Sequence, residues 1–189
     1  MTTTQQQDVV DLLLRQHEQI KALFNQIAGA GGVDKRERFE ELVRLLAVHE
    51  SAEEEVVHPA ARRKIDRGDQ VVGSRLQEEH QAKHALAELY DLGIDHPDFD
   101  RKLATLAEAV TQHAEREERE EFQRMREKFP ADQLQTMAKT VQAAQSLAPT
   151  RPHPRIGESQ TANLLVGPPL SVFDRIRDKV RDSAQAQRG

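Results

Sequence analysis

The sequence predicts an all-α protein: an antiparallel, up-down four-helix bundle with a C-terminal helix and a proline-rich tail. Three observations carry this expectation. Charged residues make up 31% of the chain and aromatics only 4%, with no Trp and one Tyr, a composition that suits helices and makes a poor β-rich core. Four long stretches repeat apolar residues at spacings of three and four, and none sustains period-two alternation. The connections between them are short, about five residues, which favours antiparallel neighbours.

The first helix is expected over residues 8–28, where Gly29, Gly31 and Gly32 stop it. The second follows Val33, with Asp34 as its N-cap, and runs over residues 34–65. Pro59 lies inside it, removes one backbone donor, and predicts a kink or a break. Gly68 and Asp69 open a third helix over residues 68–92, ended by Gly93. The fourth spans residues 98–129, after His96-Pro97 and before Pro130, and a shorter fifth covers residues 132–147. At ~1.5 Å per residue the four rods are about 30 to 45 Å long. Residues 1–148 thus form one bundle with an extra helix, and residues 149–189 form an extension. Pro149, Pro152, Pro154, Pro168 and Pro169 exclude a continuous helix there. Within residues 171–182, Val172, Ile176 and Val180 stand four apart beside Phe173, the pattern of a short amphipathic helix. It could dock on its own bundle or on a second copy of the chain, as a homodimer.

Charge and composition remove several function classes. With 27 Lys+Arg against 32 Asp+Glu the net charge is −5, which argues against nucleic acid as a partner. No apolar run reaches the roughly 18 residues of a membrane span. Residues 1–7 are polar, with no apolar signal-peptide core, so a cytoplasmic location is expected. The absence of cysteine excludes disulfides, thiolate-ligated zinc and thiol catalysis.

The eight histidines matter more for their positions than for their number. In the first helix the apolar seam runs Val10, Leu13, His17, Ile20, Phe24, Ile27, with a histidine in its middle. In the second it runs Phe39, Leu42, Leu46, His49, Glu53, Val56, Ala60, and in the fourth Phe99, Leu103, Leu106, Val110, His113, Glu117. In the third, Leu76, His80, His84 and Ala87 lie along one face. The i, i+4 spacing puts each His/Glu or His/His pair on one side, one turn apart.

Buried carboxylates are costly unless paired. Five imidazoles and two carboxylates converging in one core call for a cation, which turns them into ligands. They exceed what one four- or six-coordinate ion can use but suit two ions bridged by the carboxylates. Closed zinc sites favour thiolate, and calcium and magnesium favour oxygen; a nitrogen-rich pair of sites suits two irons.

The ordered set His17, His49-Glu-Ser-Ala-Glu53, His80-Gln-Ala-Lys-His84 and His113-Ala-Glu-Arg-Glu117, spread over four helices, resembles the bacterial hemerythrin-like (HHE cation-binding) domains. The resemblance covers about residues 8 to 130. It implies an oxo- or hydroxo-bridged non-haem di-iron centre with a position open to O₂, peroxide or nitric oxide. In the oxygen carriers the last carboxylate comes five residues after its histidine. Here Glu117 and Glu118 are both available, and the seam favours Glu117, because one further residue turns the side chain by about 100°. The subgroup that keeps the i+4 Glu sometimes uses a single histidine in the third helix. On an ideal helix His58, nine residues after His49, falls half a turn away, outside the ligand set unless Pro59 turns it. His96 and His153 each precede a proline in loop-like sequence and are read as structural or exposed.

Two functional expectations follow from the resemblance. One is a catalase-like di-iron enzyme that decomposes hydrogen peroxide, or a handler of nitric oxide; the other is reversible O₂ binding or sensing. A metal-free bundle is disfavoured by the buried His and Glu themselves.

Overall fold

The computed structural model describes residues 7–146, 173–175 and 178, and all regular structure among these residues is helical. Helix α1 (Val9–Ala28) opens with a reciprocal cap. Asp8 Oδ1 accepts the Asp11 amide at 2.8 Å, and Asp11 returns a bond to the Asp8 amide, which satisfies two amides that the first turn leaves unpaired. The second rod is built from α2 (Gly32–Ala52), a π-helical turn (Glu53–Val57) and α3 (His58–Lys64). Gly68 starts α4 (Gly68–Leu92) against the end of α3, where a Cβ would stand 2.5 Å from the Arg62 carbonyl oxygen. Gly93, at φ 81°, ends α4 in a region that L side chains rarely adopt. The fourth rod repeats the plan of the second: α5 (Phe99–Glu117), a second π turn (Glu118–Phe122) and α6 (Gln123–Lys128). A fifth helix, α7 (Ala131–Ser146), packs on α1.

The five helical segments expected from the sequence are therefore present. Pro59 neither breaks the second rod nor leaves it regular. Proline cannot supply the amide that Glu55 would receive in an α-helix, and its ring crowds that carbonyl. The chain widens by one residue just before it, so that the His58 amide reaches the Glu53 carbonyl, five residues back.

Two apolar clusters fill the interior. One gathers Ile20, Phe24, Ile27, Phe39, Leu46, Leu86, Phe99 and Leu106, joined by Phe173 from the C-terminal extension. The other gathers Val10, Leu13, Val57, Ala60, Val72, Phe122 and Met125 with Leu134 and Val141 of α7. His17 lies between Leu13 and Ile20 on α1, and His49 and Glu53 lie between Leu46 and Val57. The polar layer thus sits between two apolar plugs. Apart from residues 173–175 and 178, which are helical, the proline-rich extension and its expected amphipathic helix lie outside the described residues.

Candidate metal centre

Eight ionisable side chains meet in that layer. His17 Nε2 is 3.3 Å from Glu117 Oε2, and His49 Nε2 is 3.1 Å from Glu53 Oε1. His113 Nε2 lies 4.0 Å from Glu117 Oε2. On the other side His58 stands between two carboxylates, with Nε2 2.7 Å from Glu79 Oε1 and Nδ1 2.8 Å from Glu121 Oε1. Three sets of donors lie close enough to share an ion: His17, His49, Glu53 and Glu117; Glu53, His58 and Glu79; and His58, Glu117 and Glu121. Glu53, His58 and Glu117 each recur in two sets, and each of the two carboxylates has a second oxygen to offer. One half of the centre is rich in imidazole and the other in carboxylate.

Three histidines are oriented from behind. His17 Nδ1 donates to Glu118 Oε1 at 2.8 Å, His49 Nδ1 to Gln16 Oε1 at 2.9 Å, and His113 Nδ1 to Glu78 Oε2 at 2.9 Å. An acceptor at Nδ1 fixes the tautomer and leaves the Nε2 lone pair facing inward, the arrangement that metal-binding histidines require. Glu78 is itself held by Arg116 Nε at 3.0 Å and by Arg75. Burial opposes the Glu78 charge, but His113 and Arg75 outweigh it and hold the carboxyl below its ordinary value.

Without a cation, the electrostatics of the layer are unfavourable. Burial, then the charges of Glu117 and Glu79, push the Glu53 carboxyl well above its ordinary value. Glu121 is also raised by burial, despite His58. Burial disfavours charge on His58, yet its bonds to Glu121 and Glu79 prevail and raise it well above the usual imidazole range. His49 moves the other way, lowered by burial and then by His17. Glu117 is buried as well, but the neighbouring imidazoles of His17 and His113 hold its carboxyl down.

Both oxygens of Glu53 and of Glu117, one each of Glu79 and Glu121, and Nε2 of His17 and His113 are buried with no hydrogen-bond partner. At about 1–3 kcal/mol for each such group, these six side chains cost about as much as the whole stability of a domain, ~5–15 kcal/mol. Cations remove that cost. Four carboxylates carry a charge of −4, which two divalent ions balance. The donor set therefore fits a buried metal site.

A cavity of about 500 Å³ between α4 and α5 reaches this layer at His17, His49 and His113. Apolar side chains, Ile20, Leu46, Ala82 and Val110 among them, line it together with polar ones that include Glu50 and Glu79. Glu50 is ion-paired with Lys83 at 3.2 Å.

Of the seven residues expected to bind metal, the structure brings together His17, His49, Glu53, His113 and Glu117. Between the two candidate carboxylates of the fourth rod, Glu117 faces inward and Glu118 supports His17. His80 and His84 do not enter the layer; both are exposed on the outer side of α4. Leu76 and Ala87, which share their face, are only partly buried. The true seam of α4 is Val72, Glu79 and Leu86, at 0%, 2% and 1% exposure. Their heptad spacing was available in the sequence and points to Glu79. His58, half a turn away on an ideal helix, faces the layer here, the alternative that Pro59 had left open. The π turn removes one residue's worth of rotation and sets His58 over Glu53, five residues back. Glu121 continues the His113, Glu117 series by another four residues. His96 is exposed, and His153 lies outside the described residues.

Comparison with known proteins agrees with this architecture. Residues 8–125 match the model of the hemerythrin HHE cation binding domain. A crystal structure of a hemerythrin HHE cation binding domain-containing protein from Mycobacterium kansasii superposes with a TM-score of 0.69 at 18% identity. It covers 94% of this chain and 99% of that one, a likeness in fold. A curated relative from Nostoc sp., named DNA nickase, is 26% identical over 143 residues. That match covers 75% of this chain but only 40% of the relative, so the chain spans about two fifths of that protein's length. With most of its length matched by the family model and the buried His/Glu layer in place, this chain belongs to the hemerythrin HHE cation-binding domain family.

Proposed function

We propose that this chain is a non-haem di-iron protein that decomposes hydrogen peroxide. The observation that carries the proposal is the cavity meeting the imidazole side of a buried donor set in which two carboxylates recur. His17, His49 and His113 would hold one iron and His58, Glu79 and Glu121 the other, with Glu53 and Glu117 serving both. Imidazole and carboxylate together suit iron better than the all-oxygen ions or thiolate-loving zinc. When bound, iron supplies a Lewis acid and an electron reservoir.

The protein's own contribution is access, orientation and hydrogen bonding. Small side chains such as Ala82 line a way in for a small molecule. Glu50 presents an acceptor in the cavity wall, which a ligand bearing O–H groups can use and a bare diatomic cannot. This favours peroxide over O₂ or nitric oxide. The apolar remainder of the wall supports a second reading, reversible binding of O₂.

The reaction balances as 2 H₂O₂ → O₂ + 2 H₂O, one peroxide being oxidised and the other reduced. An oxygen electrode separates the readings. Evolution of half an O₂ per peroxide consumed, abolished in Glu53→Ala, is the expected result. Reversible O₂ uptake without evolution would overturn the proposal in favour of binding.

A further inference from the structure

His80 and His84, which the di-iron centre does not use, form a pair of their own. They sit one turn apart on the outer side of the 25-residue helix α4, roughly 100° and 140° around it from the inward Glu79. Their ring centroids are 4.5 Å apart and nearly perpendicular. The two Nε2 atoms converge to 3.1 Å. Both side chains are exposed, so water would serve either nitrogen as well as the neighbouring ring does. The pair therefore gains little as a hydrogen bond.

It gains much more as a chelate. Two imidazoles at i, i+4 on one helix face are a recurrent divalent-metal motif. With metal–nitrogen bonds of about 2.1 Å, nitrogens 3.1 Å apart subtend an angle of about 95° at the ion. That is a cis arrangement, as in tetragonal or octahedral complexes, and is narrower than a tetrahedral site needs. Tetragonal nitrogen ligation is the preference of Cu(II) and Ni(II). The rigid helix holds both donors in place before binding, and solvent supplies the remaining ligands.

We infer that His80 and His84 form a surface site for a Cu(II)- or Ni(II)-type ion, separate from the buried centre. The test uses the full chain, free of any affinity tag and loaded with its core metal, titrated with Ni(II) in equilibrium dialysis. Core metal is measured in the same samples. One Ni(II) per chain should be lost, through at least about tenfold weaker binding, in either His80→Gln or His84→Gln, with core metal unchanged. Equal Ni(II) binding by wild type and both variants would overturn the inference. So would loss of core metal in these variants, which would place the two histidines in the buried centre instead.

Discussion

Replacing Glu118 by Ala should weaken metal binding modestly, whereas the same change at its neighbour Glu117 should weaken it far more. Glu118 accepts the Nδ1–H of His17 at 2.8 Å and so keeps the opposite nitrogen aimed at the centre. A hydrogen bond to a charged group contributes about 1.5–3 kcal/mol. The Glu118 side chain is 33% exposed, so water can replace part of what is lost, and the lower end applies. About 1.5 kcal/mol is roughly tenfold in affinity, at the bottom of the 10–100-fold range typical of such supporting groups. Glu117 is fully buried, and both of its oxygens lack a hydrogen-bond partner. Its loss removes a donor from both halves and should weaken binding more than about hundredfold. Competition against a chelator of known affinity measures both, and Glu118→Gln, which keeps an acceptor, should stay near wild type. The reasoning fails if Glu118→Ala binds as tightly as wild type. It also fails if Glu118→Ala loses as much as Glu117→Ala, because the i+5 carboxylate would then be the ligand.

Three further outcomes follow from the same layer. His58→Ala should leave one ion per chain instead of two, held on the His17, His49 and His113 side; an unchanged ratio in elemental analysis would remove His58 from the centre. Glu53→Gln should lose metal yet make the chelated protein more stable by about 1–3 kcal/mol near neutral pH, because a carboxyl that folding forces to hold its proton well above the ordinary value becomes an amide that is neutral at no cost; urea unfolding of the metal-free forms checks the sign. The metal-free chain should lose stability as pH rises from 5.5 to 8. Glu53, Glu50 and Glu121 have raised carboxyl values, so above the ordinary value of 4.5 the folded form holds more protons than the unfolded one. His58 and His113 are also raised, and their contribution is present below 6.5 and lost as pH climbs through the raised values. His49, lowered, opposes this alone in that window, and the stabilisation from Glu117 fades only below 4.5. Denaturant midpoints that rise with pH would contradict this balance.

The rods of the bundle were legible because their boundaries are chemical: Asp8 caps α1, Gly93 ends α4, and Pro130 closes the fourth rod. Five ligand candidates were legible because three rods keep a regular seam through the centre. His58 was not, since its place depends on a π turn that no simple periodicity encodes, although Pro59 hints at it. The third rod misled for another reason. Its histidines drew attention to the Leu76 and Ala87 face, while the heptad Val72, Glu79, Leu86 buries a carboxylate, a residue that seldom marks a core. Gln16 and Glu78 were invisible in the sequence, because supporting a histidine from behind leaves no spacing rule.

The most direct test of the account is metal analysis of the purified full chain combined with X-ray absorption at the iron edge. Two irons per chain, each with mixed nitrogen and oxygen ligands and a second iron within about 4 Å, is the predicted result. A single isolated ion, or a folded chain that takes up no metal, would contradict the claim that Glu53 and Glu117 are shared between two sites.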